Sequence, residues 1–279
     1  MLGIITGSGF SQVPGLQHAT PFLVATPYGD ASVVRGEWQD RPVATVARHG
    51  RDHSVAPHRI NYRANLWALR RLGVTALMAT AVSGAIAADL HPGDLVLIDQ
   101  FLDFTQQRAG TYFDGAVPDA VHHDLPEPPP GAVAGDQQQL SAWAEGWSAT
   151  INPVRHVELS TPYHPALGQL AREAAAEAGI ALRPRGTYVC TNGPRFETPA
   201  EITAFARLGA DLVGMTGCPE VALAAELELP YAAIGVISNP AAGLGPAITL
   251  EDILTTLDAA RPALWTVLAA VAARWNPPS

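Results

Sequence analysis

Runs of β-branched and apolar residues alternate along this chain with stretches of helical period, and that alternation admits few architectures. Leu2–Thr6, Pro42–Ala47, Val74–Val82, Leu95–Ile98, Gly186–Thr191, Asp211–Met215 and Tyr231–Ser238 read as strands. Between them, Asn61–Leu72 sets Leu66, Leu69 and Leu72 on one face, with Arg70 and Arg71 outside and Gly73 as the stop. Pro165–Ala178 predicts another helix, with Leu167, Leu170 and Ala174 inward and Gly179 at its end. Thr198-Pro-Ala-Glu201 and Thr249-Leu-Glu-Asp252 each offer a capping threonine with an acid three residues on. Pro199 suits a first helical position, whereas Pro262 predicts a break or kink in the terminal helix. Strands alternating with helices give an α/β domain around a largely buried sheet.

The 279 residues are enough for one large core, and no internal repeat divides them. The stretch Val117–Pro153, with its EPPPG and DQQQ runs, sustains no period and reads as a surface insertion or lid within a single domain spanning 1–279.

Composition removes several kinds of chemistry. All 17 cationic residues are arginine, so Schiff-base, pyridoxal-phosphate and phosphate-loop lysines are excluded together. A net charge of -9 supplies no field for a phosphate backbone, which argues against nucleic acid as a partner. The 2 cysteines, Cys190 and Cys218, cannot make a disulfide framework or a four-thiolate zinc site, and a reducing cytoplasm is the expected setting. The apolar run Val74–Ala88 is interrupted by Thr75, Thr80 and Ser83, so no membrane span is expected.

Small and polar residues gather where the predicted strands end, which is where α/β sheets bind ligands. Gly7-Ser8-Gly9 could bring backbone amides and a hydroxyl to an anion, and a plain tight turn explains it equally. Arg48-His49-Gly50-Arg51-Asp52-His53 concentrates arginines suited to phosphate, while a solvated turn paired with Asp52 is the alternative. His49 and His53 have a zinc-like spacing without a third ligand, so no metal is expected. Thr80-Ala81-Val82-Ser83-Gly84 leaves room for a ligand or for close helix packing. Arg195 and Glu197 could form a surface ion pair, and Asn239 could be a turn residue.

Taken together these segments resemble the purine nucleoside phosphorylase and methylthioadenosine phosphorylase family, almost end to end and least in Val117–Pro153. ARHGRDHSVAPHRINYRANLWALRRLG is similar to the methylthioadenosine branch. GPRFETPAEI, GADLVGMTGCPEVALA and the asparagine of VISNPAAG resemble the branch acting on 6-oxopurine nucleosides. The S-methyl-5′-thioinosine branch combines both. The resemblance implies a central twisted mixed sheet flanked by helices, a homotrimer, and reversible phosphorolysis of a purine nucleoside. Inorganic phosphate would be a co-substrate, with no cofactor.

Carried over by residue, the resemblance implies a phosphate site of Ser8, Arg48, His49, Thr80, the amide of Ala81, and Thr216. His53 would touch phosphate or sugar, Met215 the ribose and Phe196 the base, with Ala241 among the substrate-binding residues. Asn239 would donate to purine N7 or O6, and Glu197 would accept N1–H of a 6-oxopurine. Leu250 would meet the 5′ end of the sugar, and His156 a neighbouring subunit's sugar pocket. A general inosine or guanosine phosphorylase and a methylthioadenosine phosphorylase are the alternatives within the family. A non-catalytic purine-binding regulator lies outside it. A nicotinamide oxidoreductase is disfavoured because Gly7-Ser8-Gly9 lacks a third glycine at the right spacing.

Overall fold

The computed structural model describes residues 1–10, 12–50, 52–113 and 155–276. The expected insertion at 117–153 and Arg51 lie outside the described residues. The strands are β1 (Leu2–Thr6), β2 (Gln17–Val24), β3 (Ala31–Trp38), β4 (Arg41–Ala47), β5 (Ala76–Ala85), β6 (Leu95–Ile98), β7 (Gln100–Asp103), β8 (Leu182–Arg183), β9 (Thr187–Cys190), β10 (Leu212–Gly214) and β11 (Tyr231–Pro240). The helices are α1 (Tyr62–Arg71), α2 (Pro165–Glu177), α3 (Pro199–Arg207), α4 (Glu220–Glu226) and α5 (Leu250–Arg274).

The strands form one mixed sheet in the order β2-β3-β4-β1-β5-β10-β9-β7, with β11 also on β5, β6 on β11 and β8 on β6. At its centre β4, β1, β5 and β11 run parallel, so their C-terminal ends open on one edge. β1 and β11 are almost wholly buried, which is why they read as unbroken apolar runs. Their side chains alternate between two cores. Ile5 and Ala233 pack with Leu66, Leu69 and Leu223 of α1 and α4. Ile4 and Ile234 pack with Leu167 of α2 and Leu257, Leu264 and Leu268 of α5.

The expected helix starts at Thr198 and Thr249 are present. Thr198 and Glu201 form a reciprocal capping box, and Thr249 Oγ1 accepts from the Asp252 N–H at 3.1 Å. Of the break or kink expected at Pro262, the break is a correction, because α5 is one helix through it. Burial of Leu257, Ala260, Leu264 and Leu268 along one side holds both halves on the sheet and offsets the lost backbone bond. Strands β2, β3, β7 and β8 and helix α4 were not anticipated. Cys190 and Cys218 are free thiols, both buried. No helix among the described residues is long and apolar enough to cross a membrane.

Candidate active site

A cavity of about 480 Å³ opens where the parallel strands end. Each wall is a strand end followed by a small-residue turn. β1 delivers Gly7, Ser8 and Gly9, β4 delivers His49, Gly50 and His53, and β5 delivers Val82, Ser83 and Gly84. The loop after β9 brings Phe196 and Glu197, β10 leads into Met215 and Thr216, and β11 ends in Ser238 and Asn239. The first turn of α5 closes the mouth with Leu250, Ile253 and Leu254.

At one end Ser8, His49, His53 and Thr216 are gathered. Ser8 Oγ lies 3.4 Å from His53 Nε2, and the His49 and His53 rings are 4.6 Å apart. The Thr216 N–H donates to the phenol of Tyr188 at 3.1 Å. That phenol sits so close that a Cβ on Gly214 would fall 2.5 Å from it, and one on Gly217 2.7 Å from the Tyr188 ring. Only glycine admits this seat for the loop.

His49 Nδ1 lies 2.8 Å from the Val55 carbonyl, which can only accept, so a neutral His49 carries its proton there and turns an Nε2 lone pair outward. Burial, with the nearby Arg48 and His53 charges, lowers the His49 pKa from 6.5 to about 4, against the opposing hydrogen bond to Val55. Between those values the unfolded chain holds a proton that the folded chain refuses, so stability falls as pH drops from about 6.5 to about 4 and levels off below. The full loss is about 3 kcal/mol at most. Urea titrations of the wild type and His49→Gln across this window should differ in slope. Parallel curves would show that His49 does not carry the effect.

Arg48 packs directly behind the Gly7 turn. Its guanidinium is almost wholly buried behind the wall, where Nε and Nη2 donate to the two oxygens of Glu220 at 2.8 and 2.7 Å and Nη1 donates to the Thr80 carbonyl at 3.0 Å. Tyr231 Oη also donates to Glu220 at 2.7 Å. Burial alone would lower the Arg48 pKa, but the Glu220 charge and hydrogen bonds outweigh it and raise it above the ordinary value. Thr80 and Ala81 are buried in β5 and do not line the cavity, because the strand continues past them to Val82–Gly84. Thr80 Oγ1 instead accepts from the Gly7 N–H at 3.0 Å and fixes the first turn.

At the other end Glu197 and Asn239 face the same space. Thr191 Oγ1 donates to Glu197 Oε1 at 2.6 Å, which leaves Oε2 as an acceptor. Asn239 owes its aim to a register shift between Ile237 and Asn239 against β5, with Ser238 as the extra residue. The Ser238 hydroxyl donates to Asn239 Oδ1 at 2.6 Å, and Asn239 Nδ2 donates to the Pro240 carbonyl at 2.7 Å. With its oxygen held by a hydroxyl, the amide keeps one N–H for a ligand.

Of the sequence-derived residues, Ser8, His49, His53, Phe196, Glu197, Met215, Thr216, Asn239, Ala241 and Leu250 meet at this cavity. Arg48, Thr80 and Ala81 stand behind it, and His156 is exposed and away from it. Thr191, Ser238 and Glu220 were not singled out for the roles they hold. For Ser238 the signal was available, as a hydroxyl next to a strand-end asparagine. No group of three or more metal-ligating side chains occurs among the described residues.

Residues 1–273 match the family model described as the phosphorylase superfamily. A protein of Thermococcus kodakarensis named "Probable 6-oxopurine nucleoside phosphorylase" is 42% identical over 88% of this chain and 81% of its own. A Methanopyrus kandleri protein named "Probable S-methyl-5'-thioinosine phosphorylase" is 39% identical over 94% of this chain and 87% of its own. Among solved structures, methylthioadenosine phosphorylase from Schistosoma mansoni in complex with adenine superposes with a TM-score of 0.81 at 27% identity, covering 98% of this chain and 90% of that one.

Proposed function

Because this chain belongs to the phosphorylase superfamily, we propose that it is a phosphate-dependent pentosyltransferase that releases 6-oxopurines from nucleosides, with S-methyl-5′-thioinosine as the preferred substrate. The products are then hypoxanthine and 5-methylthioribose 1-phosphate. A homotrimeric, cytoplasmic enzyme without metal or organic cofactor belongs to the same proposal.

The observation that carries this reading is the meeting of Glu197 and Asn239 in one cavity with Ser8, His49 and Thr216. As the glycosidic bond stretches, positive charge grows on the ribose and negative charge on the departing purine. Phosphate held by the hydroxyls of Ser8 and Thr216, the turn amides after β1 and His49 sits beneath the sugar, attacks C1 and balances the cation. The His49 Nε2 lone pair accepts the P–OH of a monoanion, or takes up a proton beside a dianion. Met215 packs against the ribose and Phe196 against the base. The free Asn239 N–H supports N7 or O6 as electrons collect there.

Glu197 sets the base. Its Oε2 accepts the N1–H of hypoxanthine or guanine, whereas adenine N1 has no proton and would set one buried acceptor against another. At the sugar's 5′ end stand Ile248, Leu250, Ile253 and Leu254, an aliphatic group suited to a methylthio substituent. Leu250 is 71% exposed, surface that a bound thioether would cover.

The test is base release from S-methyl-5′-thioinosine, inosine and methylthioadenosine, each with and without phosphate. Phosphate-dependent hypoxanthine release, fastest from methylthioinosine, is expected. Equal or faster release from inosine would make the enzyme a general inosine/guanosine phosphorylase. Adenine release would overturn the role of Glu197, and purine binding without any release would favour a regulator.

A further inference from the structure

The cavity's base-reading and phosphate-holding walls come from different loops, and one side chain outside the cavity lining joins them. Arg108, after β7, directs Nε to Asn192 Oδ1 at 3.3 Å and Nη2 to the carbonyls of Thr191 and Asn192 at 3.3 and 2.9 Å. Its Nη1 donates to the Cys218 carbonyl at 2.5 Å and to the Tyr62 hydroxyl at 3.0 Å. A guanidinium has five N–H donors in a fixed plane, and these contacts engage all of them. The Tyr62 hydroxyl passes the link on, donating to the carbonyl of Pro57, itself a cavity residue, at 3.1 Å. Arg108 also lies over the Tyr62 ring at 5.4 Å.

Each contact has a short path to the chemistry. Thr191 orients Glu197 by the 2.6 Å bond already described, so the carbonyls of 191 and 192 root the loop that reads the base. Cys218 lies two residues beyond Thr216, on the loop that faces phosphate and ribose. The strands that lead into the two loops are already paired, the Thr191 N–H bonds the Gly214 carbonyl at 2.8 Å, and the Cys218 N–H donates to Cys190 Sγ at 3.3 Å. A rigid plane gripping Thr191, Asn192 and Cys218 at once carries that connection past the strand ends, to where the loops turn toward base and phosphate.

Building on the nucleoside phosphorylase reading, we propose that Arg108 is a positioning residue that registers the Glu197 loop against the Thr216 loop, so that base and phosphate are held in line across C1. It touches neither ligand. Its effect falls on their mutual alignment, to which a displacement reaction is steeply sensitive.

The prediction separates turnover from binding. In Arg108→Ala each half-site keeps its own ligands, so KM for nucleoside and for phosphate should stay close to wild type while kcat falls roughly 10²-fold. A merely stabilising side chain would instead lower Tm and the folded fraction, with kcat per folded molecule unchanged. Arg108→Lys keeps the charge but has three donors at one point, and should recover only part of kcat. Full recovery by lysine would overturn the planar-grip argument. Should Arg108→Ala not fold, Tyr62→Phe, which removes one contact of the set, should lower kcat in the same way by less. Amide hydrogen exchange gives a readout independent of activity: Arg108→Ala should lose protection in 191–197 and 214–218 together. Loss in neither segment, or in one alone, overturns the proposal. Absence of base release by the wild type would count against the function, and the exchange result would then decide the role of Arg108 by itself.

Discussion

Asn239→Ala should reduce kcat for phosphorolysis by about 10²–10³-fold, the usual cost of removing one preorganised donor from a site of developing charge. The backbone that presents Asn239 is set by the shift at Ser238, not by the amide, so the variant should fold normally. What it loses is an N–H whose direction is fixed in advance, by the Ser238 hydroxyl on Oδ1 and the Pro240 carbonyl on the other amide proton. Such a donor does little for a neutral purine in the ground state and most once the bond has broken, so KM should change less than kcat. Steady-state rates with methylthioinosine, at saturating phosphate, check this. A kcat within a few-fold of wild type would remove Asn239 from leaving-group support.

The largest effect on stability is expected from Glu220→Ala. The Arg48–Glu220 pair has side-chain exposures of 1% and 2%, and removing the acid leaves a guanidinium charged and dry. Breaking such a pair from one side costs about 3–5 kcal/mol, or a fall in Tm of roughly 10 °C for a chain of this size. Tyr231 loses its acceptor in the same step. The double variant Arg48→Met with Glu220→Leu should recover much of the loss, because apolar side chains of similar volume need no counter-charge. Thermal melts of the wild type, Arg48→Met, Glu220→Leu and the double variant complete the cycle, with Glu220→Ala measured beside them. A Glu220→Ala melt that overlays the wild type would show that water reaches Arg48 after all.

This pair also shows where reading the sequence stops. An arginine after a strand, beside histidines and glycines, has the chemistry of an anion ligand, and nothing local in ARHGRDH discloses a carboxylate 172 residues away. The same limit explains Thr80 and Ala81. A strand end can be read to within two or three residues, and β5 runs on to Ala85 because β11 and β10 pair with its last residues. Burial on both faces made β1, β5 and β11 legible as apolar runs. The β2–β3 hairpin was not, since β2 is mostly exposed and the alternation in β3 slips phase between Val33 and Gly36. Glu197 and Asn239 could be singled out because each follows a legible strand end, and both line the cavity. Their orienting partners, Thr191 and Ser238, are short hydroxyl side chains whose meaning depends on a rotamer.

The order of the strands has a consequence for how the protein is made. β11 is the last strand in the sequence, yet it lies against β5 through nine paired positions, from Tyr231 on Leu77 to Pro240 on Ala85, and carries β6 on its other side. A ribosome therefore delivers β1, β4 and β5 long before the strand that closes the open side of β5, and Arg48 leaves the tunnel well ahead of Glu220. Until residues 231–240 emerge, the nascent chain presents an unpaired, apolar strand, the kind of surface that chaperones bind and that aggregates when crowded. The catalytic cavity is thus completed late in synthesis, with Asn239 among the last of its parts to arrive.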